Sequence, residues 1–346
     1  MITDRRSFLA LLAGTAAATA FPALAQSKEV FIATYPGSVD EGFKAVIGPQ
    51  IRKELQATPT FSPMLNADLI GRIQAARSTP PFDLAIWDNG PIITAKQDGL
   101  LEKFDAAGSK NYNDIPANLR DPDGFGPAMA LTSIGIAYNP TKIKTPPTSW
   151  NDLWKPEYKG RVGVVGPAST LGTTFLIEVS KLRGGSPTDV EPGFAALKEL
   201  IPSVGAIPPN PGALTTALAQ GQVDIAPNFF NNVAALKARG ADIAFAVPES
   251  GLPMQTVTAA VIKNARNPQT AQKVIDIMIA PEIQTKLEAA PWSMMPAHPA
   301  VKLTGFNTVL GDTVEAVLKR GAFLDWTKFV ALRPGWVERF NREIRI

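Results

Sequence analysis

Apolar positions along the chain fall into two rhythms. Residues 29–34 form an apolar run of strand length, closed by a Pro36-Gly37-Ser38 turn, and residues 41–55 then carry apolar positions at helical spacing. A strand at 58–61, a helix at 68–77 and a strand at 83–87 repeat the alternation, the last ending at Asp88-Asn89-Gly90. Strands that alternate with helices predict a parallel α/β sheet. The pattern restarts after Pro140: strand 161–165, helices 171–183 and 194–200, a strand near Val204, helix 212–220, strand 224–228, helix 231–239 and strand 242–245. Between the two blocks, 128–131 and 134–138 predict a strand pair or one long bent strand crossing from the first lobe to the second, with 255–262 as the way back. Helices at 268–278, 281–290, 312–320 and 327–340 follow and complete the first lobe or brace the rear of both.

The length agrees with this division. At 346 residues, 45% of them hydrophobic and 19% charged, the chain is globular and exceeds what one core ordinarily serves, so two lobes of roughly 150 residues with a cleft between them are expected. Its 31 prolines sit largely in loops, and neither an internal repeat nor a low-complexity segment is present beyond the Ala-rich start.

Charge and composition remove several functions. A formal charge of +3 with no basic stripe is no footprint for nucleic acid. Zero cysteines and one histidine, His298, exclude disulfides, cysteine nucleophiles, iron-sulfur clusters and zinc sites built on several His or Cys, and most Ser-His-Asp chemistry with them. No catalytic residue, metal site or cofactor is assigned.

Residues 1–25 read as a signal peptide. Arg5-Arg6 precede an uncharged stretch from Phe8 that ends Ala23-Leu24-Ala25, and Asp4-Arg5-Arg6-Ser7-Phe8-Leu9 resembles a twin-arginine export signal. Cleavage is expected near Ala25/Gln26, and without a cysteine for lipid attachment the product is expected free in the periplasm.

Four phrases carry a family likeness: Ala33-Thr34-Tyr35-Pro36-Gly37-Ser38, Asp83-Leu84-Ala85-Ile86-Trp87-Asp88-Asn89, Gly135-Ile136-Ala137-Tyr138-Asn139, and the most specific, Pro147-Thr148-Ser149-Trp150-Asn151-Asp152-Leu153-Trp154 continuing to Arg161. They resemble the family 1 extracellular solute-binding proteins of bacterial ABC importers, in the branch with spermidine/putrescine and iron(III) binders, from about residue 30 to 301. The resemblance implies a type II periplasmic binding fold: two α/β lobes joined by crossover strands near 130–136 and 251–258, with a hinged cleft. The lobes are expected at 26–131 with 256–346, and at 132–255. Trp150, Trp154 and Tyr158 are expected to pack the base of the second lobe, since large aromatics are mostly buried.

In open α/β sheets, ligands sit outside the carboxyl ends of the strands. This selects Tyr35 and Ser38 after the first strand and Asp88 and Asn89 after the third. It selects Ser169, Thr170, Asn228 and Phe229 in the second lobe, and Gln255 and Thr256 at the return crossover. The loop from Gly166 to Gly172 leads into a helix, where the backbone N–H groups and the Ser169 and Thr170 hydroxyls can grip a carboxylate or phosphate, the hydroxyls can cap the helix, or both roles can hold at once.

The likeness to polyamine binders has a gap. Those relatives place Trp and then Asp at the return crossover, which here reads Met254-Gln255-Thr256-Val257-Thr258, and no second carboxylate partners Asp88. Iron binders use late tyrosines, whereas the last of four tyrosines here is Tyr158, and His298 between Pro296 and Pro299 reads as a loop residue. The expected cargo is a small polar organic solute: a polyamine-like amine, an amino acid or a small organic anion. The expected partners are that solute and the ABC permease subunits of the inner membrane, with the protein a monomer. Competing readings are an exported two-lobed enzyme, with Asp88 and Glu249 drawn as a carboxylate pair, and a periplasmic sensor for a chemoreceptor or kinase.

Overall fold

A computed structural model describes residues 28–344. The expected signal peptide lies outside the described residues. Strands β1 (Lys28–Thr34), β2 (Ala57–Pro63), β3 (Leu84–Asp88), β4 (Ala128–Tyr138), β5 (Val162–Gly163), β6 (Val204–Ala206), β7 (Ile225–Phe229), β8 (Ala244–Ala246), β9 (Leu252–Val261), β10 (Met295–Pro296) and β11 (Gly321–Phe323) join in the order β2-β1-β3-β9-β4-β7-β5-β6. β10 and β8 flank β4, and β11 flanks β9.

Two strands make this one sheet into two lobes. β4 is a single bent strand, buried along its whole length. Its first half pairs antiparallel with β9, up to Ser133 opposite Met254, and its second half pairs antiparallel with β7, from Ile134 opposite Phe229. At about 3.3 Å per residue such a strand reaches through both lobes. β9 returns alongside it and pairs with β3. The other neighbours, β1 with β2 and β3, and β5 with β6 and β7, run parallel.

Both faces of the first-lobe sheet are covered, as parallel pairing requires. Ile32, Leu84 and Ile86 face one core while Ala33, Ala85 and Trp87 face another, closed by Leu69, Ile73 and Ile92 from the helices Asn66–Ala75 and Asn89–Gln97. The period-2 alternation of strand side chains produces this split. Asp83 fastens the start of β3: its two oxygens accept from Phe31 N (2.8 Å) and Asn267 N (2.8 Å).

Several elements depart from the expected ones. The helix at 41–55 begins earlier and holds a π-turn: Ser38–Gly42, Phe43–Ile47 and Gly48–Leu55 run in succession. The strand at 161–165 shrinks to Val162–Gly163. The helix at 327–340 becomes two 3-10 turns, Trp326–Lys328 and Val330–Leu332, followed by a helix over Arg333–Glu343. Pro334 has no N–H to continue an earlier helix and is tolerated only in a first turn.

That final helix, grouped by chain order with the first lobe, lies against the second. Arg339 pairs with Glu191 and stacks over Phe194, Lys198 reaches Glu343 (2.8 Å), and Phe340 packs on Gly166. Trp150 is fully buried edge-on to Phe175, and the Trp154 indole donates to Ala196 O (3.0 Å). His298 is buried in its loop, where Nδ1 accepts from Ala300 N. Among the described residues no helix is long and apolar enough to cross a membrane.

Candidate functional site

Parallel pairing of β1 with β3 brings their carboxyl ends side by side, so Tyr35 and Asp88 emerge together. Asn66, first residue of its helix, clips them in place. Its Oδ1 accepts from the Tyr35 hydroxyl (2.5 Å) and from Asp88 N (3.1 Å), and its Nδ2 donates to Ile86 O (3.1 Å). Tyr35 and Asp88 are also within hydrogen-bonding reach of each other.

The second lobe faces this pair with one stripe of a helix. Thr170, Thr173 and Thr174 fall on one side of the helix Thr170–Leu182, as residues three and four apart do. Thr170 donates across the cleft to Asp88 Oδ2 (3.0 Å). Thr174 accepts from Gln255 Nε2 (2.8 Å) on β9, and Thr173 donates to Pro167 O (2.8 Å). Ser169 caps the helix, accepting from Gly172 N (3.0 Å) and donating to Gly166 O (3.1 Å), so its hydroxyl is spent on the loop. The loop is tight. A Cβ on Gly172 would stand 2.1 Å from Gly166 O, a distance only glycine avoids.

Arg333 closes the group from the C-terminal segment. Its Nε donates to Thr173 Oγ1 (3.0 Å), its Nη2 donates to Pro167 O (3.1 Å) and Ala168 O (3.2 Å), and its guanidinium stacks on Trp326. Trp326 in turn sits on Gly90, where a Cβ would stand 2.6 Å from the indole. The return crossover completes the wall: Thr256 N donates to Asn89 Oδ1 (2.8 Å).

Burial governs the charges here. It pushes the Asp88 carboxyl above the usual carboxylate range, against hydrogen bonds from Tyr35 and Thr170 and the positive charge of Arg333. Burial, followed by the charge of Asp88, holds the Tyr35 hydroxyl well above its ordinary value. Burial also lowers Arg333, with Asp88 opposing.

Of the residues selected from sequence, Tyr35, Asp88 and Thr170 share one set of hydrogen bonds through Asn66, while Asn89 pairs with Thr256 and Gln255 pairs with Thr174. Asn228 is fully buried, with its amide turned to Thr215 and Asn232 inside the second lobe. Ser38 opens its helix and Phe229 ends β7; both are partly exposed, and no hydrogen bond joins them to the Asp88 group among the described residues. The drawn pair of Asp88 and Glu249 is not assembled: Glu249 is exposed, its N–H bound to Thr148 O (2.7 Å). Asn66, Thr173, Thr174 and Arg333 went unselected. The threonines were readable from their spacing after Thr170, whereas nothing local to Arg333 marks it. Among the described residues no group of three or more His, Cys, Asp or Glu could hold a metal.

Two α/β lobes, two strands running between them and polar side chains gathered where the strand ends meet are the architecture of two-lobed periplasmic binding folds. The chain belongs to the bacterial extracellular solute-binding protein family, which it matches over residues 79–305. It is 27% identical over 222 residues to the spermidine/putrescine-binding periplasmic protein of Escherichia coli (strain K12), a match that takes in 58% of this chain and 60% of that protein's length. It is 23% identical over 352 residues to the probable ABC transporter periplasmic-binding protein y4fP of Sinorhizobium fredii, covering 98% of this chain and 92% of the relative. Its fold is that of the periplasmic binding protein AfuA from Actinobacillus pleuropneumoniae, with a TM-score of 0.75 at 19% identity over 92% of this chain and 99% of that one.

Proposed function

We propose that this protein is the periplasmic capture component of an ABC importer. It takes a small polar organic solute between a lobe of residues 26–131 with 256–346, whose last helix reaches across to rest on the other, and a lobe of residues 132–255, closes over it, and delivers it unaltered to the inner-membrane permease. The observation that carries the reading is the hydrogen bond from Thr170 of one lobe to Asp88 of the other, because a contact that bridges the two lobes is what a closed clamp needs. The hinge is assigned to β4 and β9, the two strands that run between the lobes. Signal cleavage near Ala25/Gln26 and a monomeric state complete the proposal.

Family membership and relatives named as periplasmic binding proteins support the reading. Cargo does not follow from the fold: one relative is named for spermidine and putrescine, while AfuA is described with fructose-6-phosphate bound. Tyr35 and Thr170 beside Asp88, with Asn89 and Thr256 next to them in the chain and at the return strand, supply hydroxyl and amide groups, which suit a polar solute of a few heavy atoms.

Native mass spectrometry of the protein purified from a periplasm, followed by thermal-shift screening of amines, amino acids, phosphonates and carboxylates, tests the reading. A bound small molecule and a higher melting temperature are expected; at a hundred times its Kd a ligand adds about 2.7 kcal/mol. Turnover of a compound with no stabilising ligand would overturn it in favour of an enzyme.

A further inference from the structure

We propose that residues 321–344 form a strap across the two lobes and that Arg333 is its clasp, a positioning residue that holds the loop presenting Thr170 to Asp88. This rests on the reading of the lobes as a clamp and names what restrains its opening.

The strap starts at the hinge, where Gly321–Phe323 of β11 pairs with Leu252–Met254 of β9. It then seats on the first lobe. Trp326 lies against Gly90, in the first turn of the helix Asn89–Gln97, and the buried rings of Trp326 and Phe329 stand 5.0 Å apart. Phe329 stacks on Trp336 at 5.9 Å, and from there the chain rests on the other lobe. Phe340 covers Gly166, Arg339 stacks over Phe194 and pairs with Glu191, and Glu343 takes Lys198. Buried aromatic rings carry the largest apolar contacts, so the strap is fastened at both ends. A swing of one lobe away from the other must break one of these seats.

Arg333 stands between them. The face of its guanidinium lies over Trp326, with Cζ 5.4 Å from the ring centre, and so leans on the first lobe. Its N–H edges donate to the second lobe: Nε to Thr173 Oγ1 (3.0 Å), and Nη2 to Pro167 O (3.1 Å) and Ala168 O (3.2 Å). Thr170 begins the helix that this loop leads into, and Thr173 lies one turn further on. With the loop closed tightly over Gly172, the side chain that fixes Pro167, Ala168 and Thr173 also fixes the hydroxyl that reaches Asp88 Oδ2. Lysine carries the same charge on a single nitrogen and cannot make this fork while stacking on the indole.

The test uses the full-length mature protein as purified, with Lys53→Cys and Glu199→Cys carrying spin labels at exposed positions on different lobes. Electron-electron distances are compared for the otherwise wild-type protein, Arg333→Gln, Arg333→Lys, Gly90→Ala and Thr170→Val. Both Arg333 variants are expected to raise the ratio of long to short distances by at least about tenfold, the effect of losing one hydrogen bond from a charged donor. Gly90→Ala leaves Arg333 in place and unseats the strap at its first-lobe end, because the new Cβ would stand 2.6 Å from the Trp326 indole. It is expected to shift the distances the same way, and it keeps the test open should the Arg333 variants melt below the temperature of measurement. Wild-type distances in Arg333→Lys would overturn the clasp, since charge alone would then suffice. Unchanged distances in Arg333→Gln and Gly90→Ala, with a longer one in Thr170→Val, would also overturn it and leave the capture reading standing. Unchanged distances in every variant, Thr170→Val included, would remove the strap and the moving clamp together.

Discussion

Replacing Thr170 with valine removes the hydroxyl that joins the lobes while keeping volume and β-branching. The lost contact is a hydrogen bond of 3.0 Å to a carboxylate in a buried setting. Hydrogen bonds to charged groups contribute about 1.5–3 kcal/mol, so the closed form should lose about 2 kcal/mol relative to the open one, or about 30-fold in the closing equilibrium. The absence of cysteine makes the assay clean, since spin labels can be placed at Lys53 and Lys237, both exposed and on different lobes. Electron-electron distance measurements should show one short population in the wild type and a mixture with a longer one in Thr170→Val, with Thr170→Ser restoring the short population. An unchanged distance distribution in Thr170→Val would refute the assignment of this bond as a closing contact, whatever its effect on melting temperature.

Three further outcomes are expected. Gly172→Ala should destabilise by more than about 2 kcal/mol in urea unfolding, because its Cβ would stand 2.1 Å from Gly166 O and 2.4 Å from Val165 O, backbone atoms that cannot turn aside. The Asp88 carboxyl is raised by burial, so the folded state binds its proton more tightly than the unfolded one; stability should therefore fall as pH rises from the ordinary carboxylate value through the raised one, and Asp88→Asn should abolish that part of the slope. His298 is shifted the opposite way, lowered by burial against Asp114 and Glu282, so the unfolded state binds the proton more tightly and stability should drop as pH falls below the ordinary histidine value, less so in His298→Asn; pH-dependent thermal melts read both effects.

Local patterning sufficed for much of the architecture. The alternation around 29–34, 83–87 and 224–228 identified the parallel strands, and 128–138 appears as a single crossing strand because every one of its residues is buried. The rule that ligands meet strand carboxyl ends selected Tyr35, Asp88 and Asn89, and the fold sets Tyr35 and Asp88 side by side on Asn66; the resemblance placed the crossover that carries Gln255 and Thr256. Asn228 satisfied the same rule and still turned inward, since Thr215 and Asn232 offered its amide partners that only packing brings near. Ser169 caps its helix, one of two compatible roles its sequence offered.

The sequence alone determined the two-lobed α/β order, the chemistry available in a chain with no cysteine and one histidine, and the strand ends where a cleft forms. These are properties of neighbouring residues, set by hydrophobic period and turn chemistry. Tertiary structure alone decided that the last helix lies on the second lobe, that Thr170 meets Asp88, and that Arg333, 245 positions beyond Asp88 in the chain, reaches Thr173 and Pro167. An amphipathic helix or a lone arginine records that it will be buried or paired but not by what. The partner is selected by the shapes and charges of surfaces that exist only once the lobes have formed.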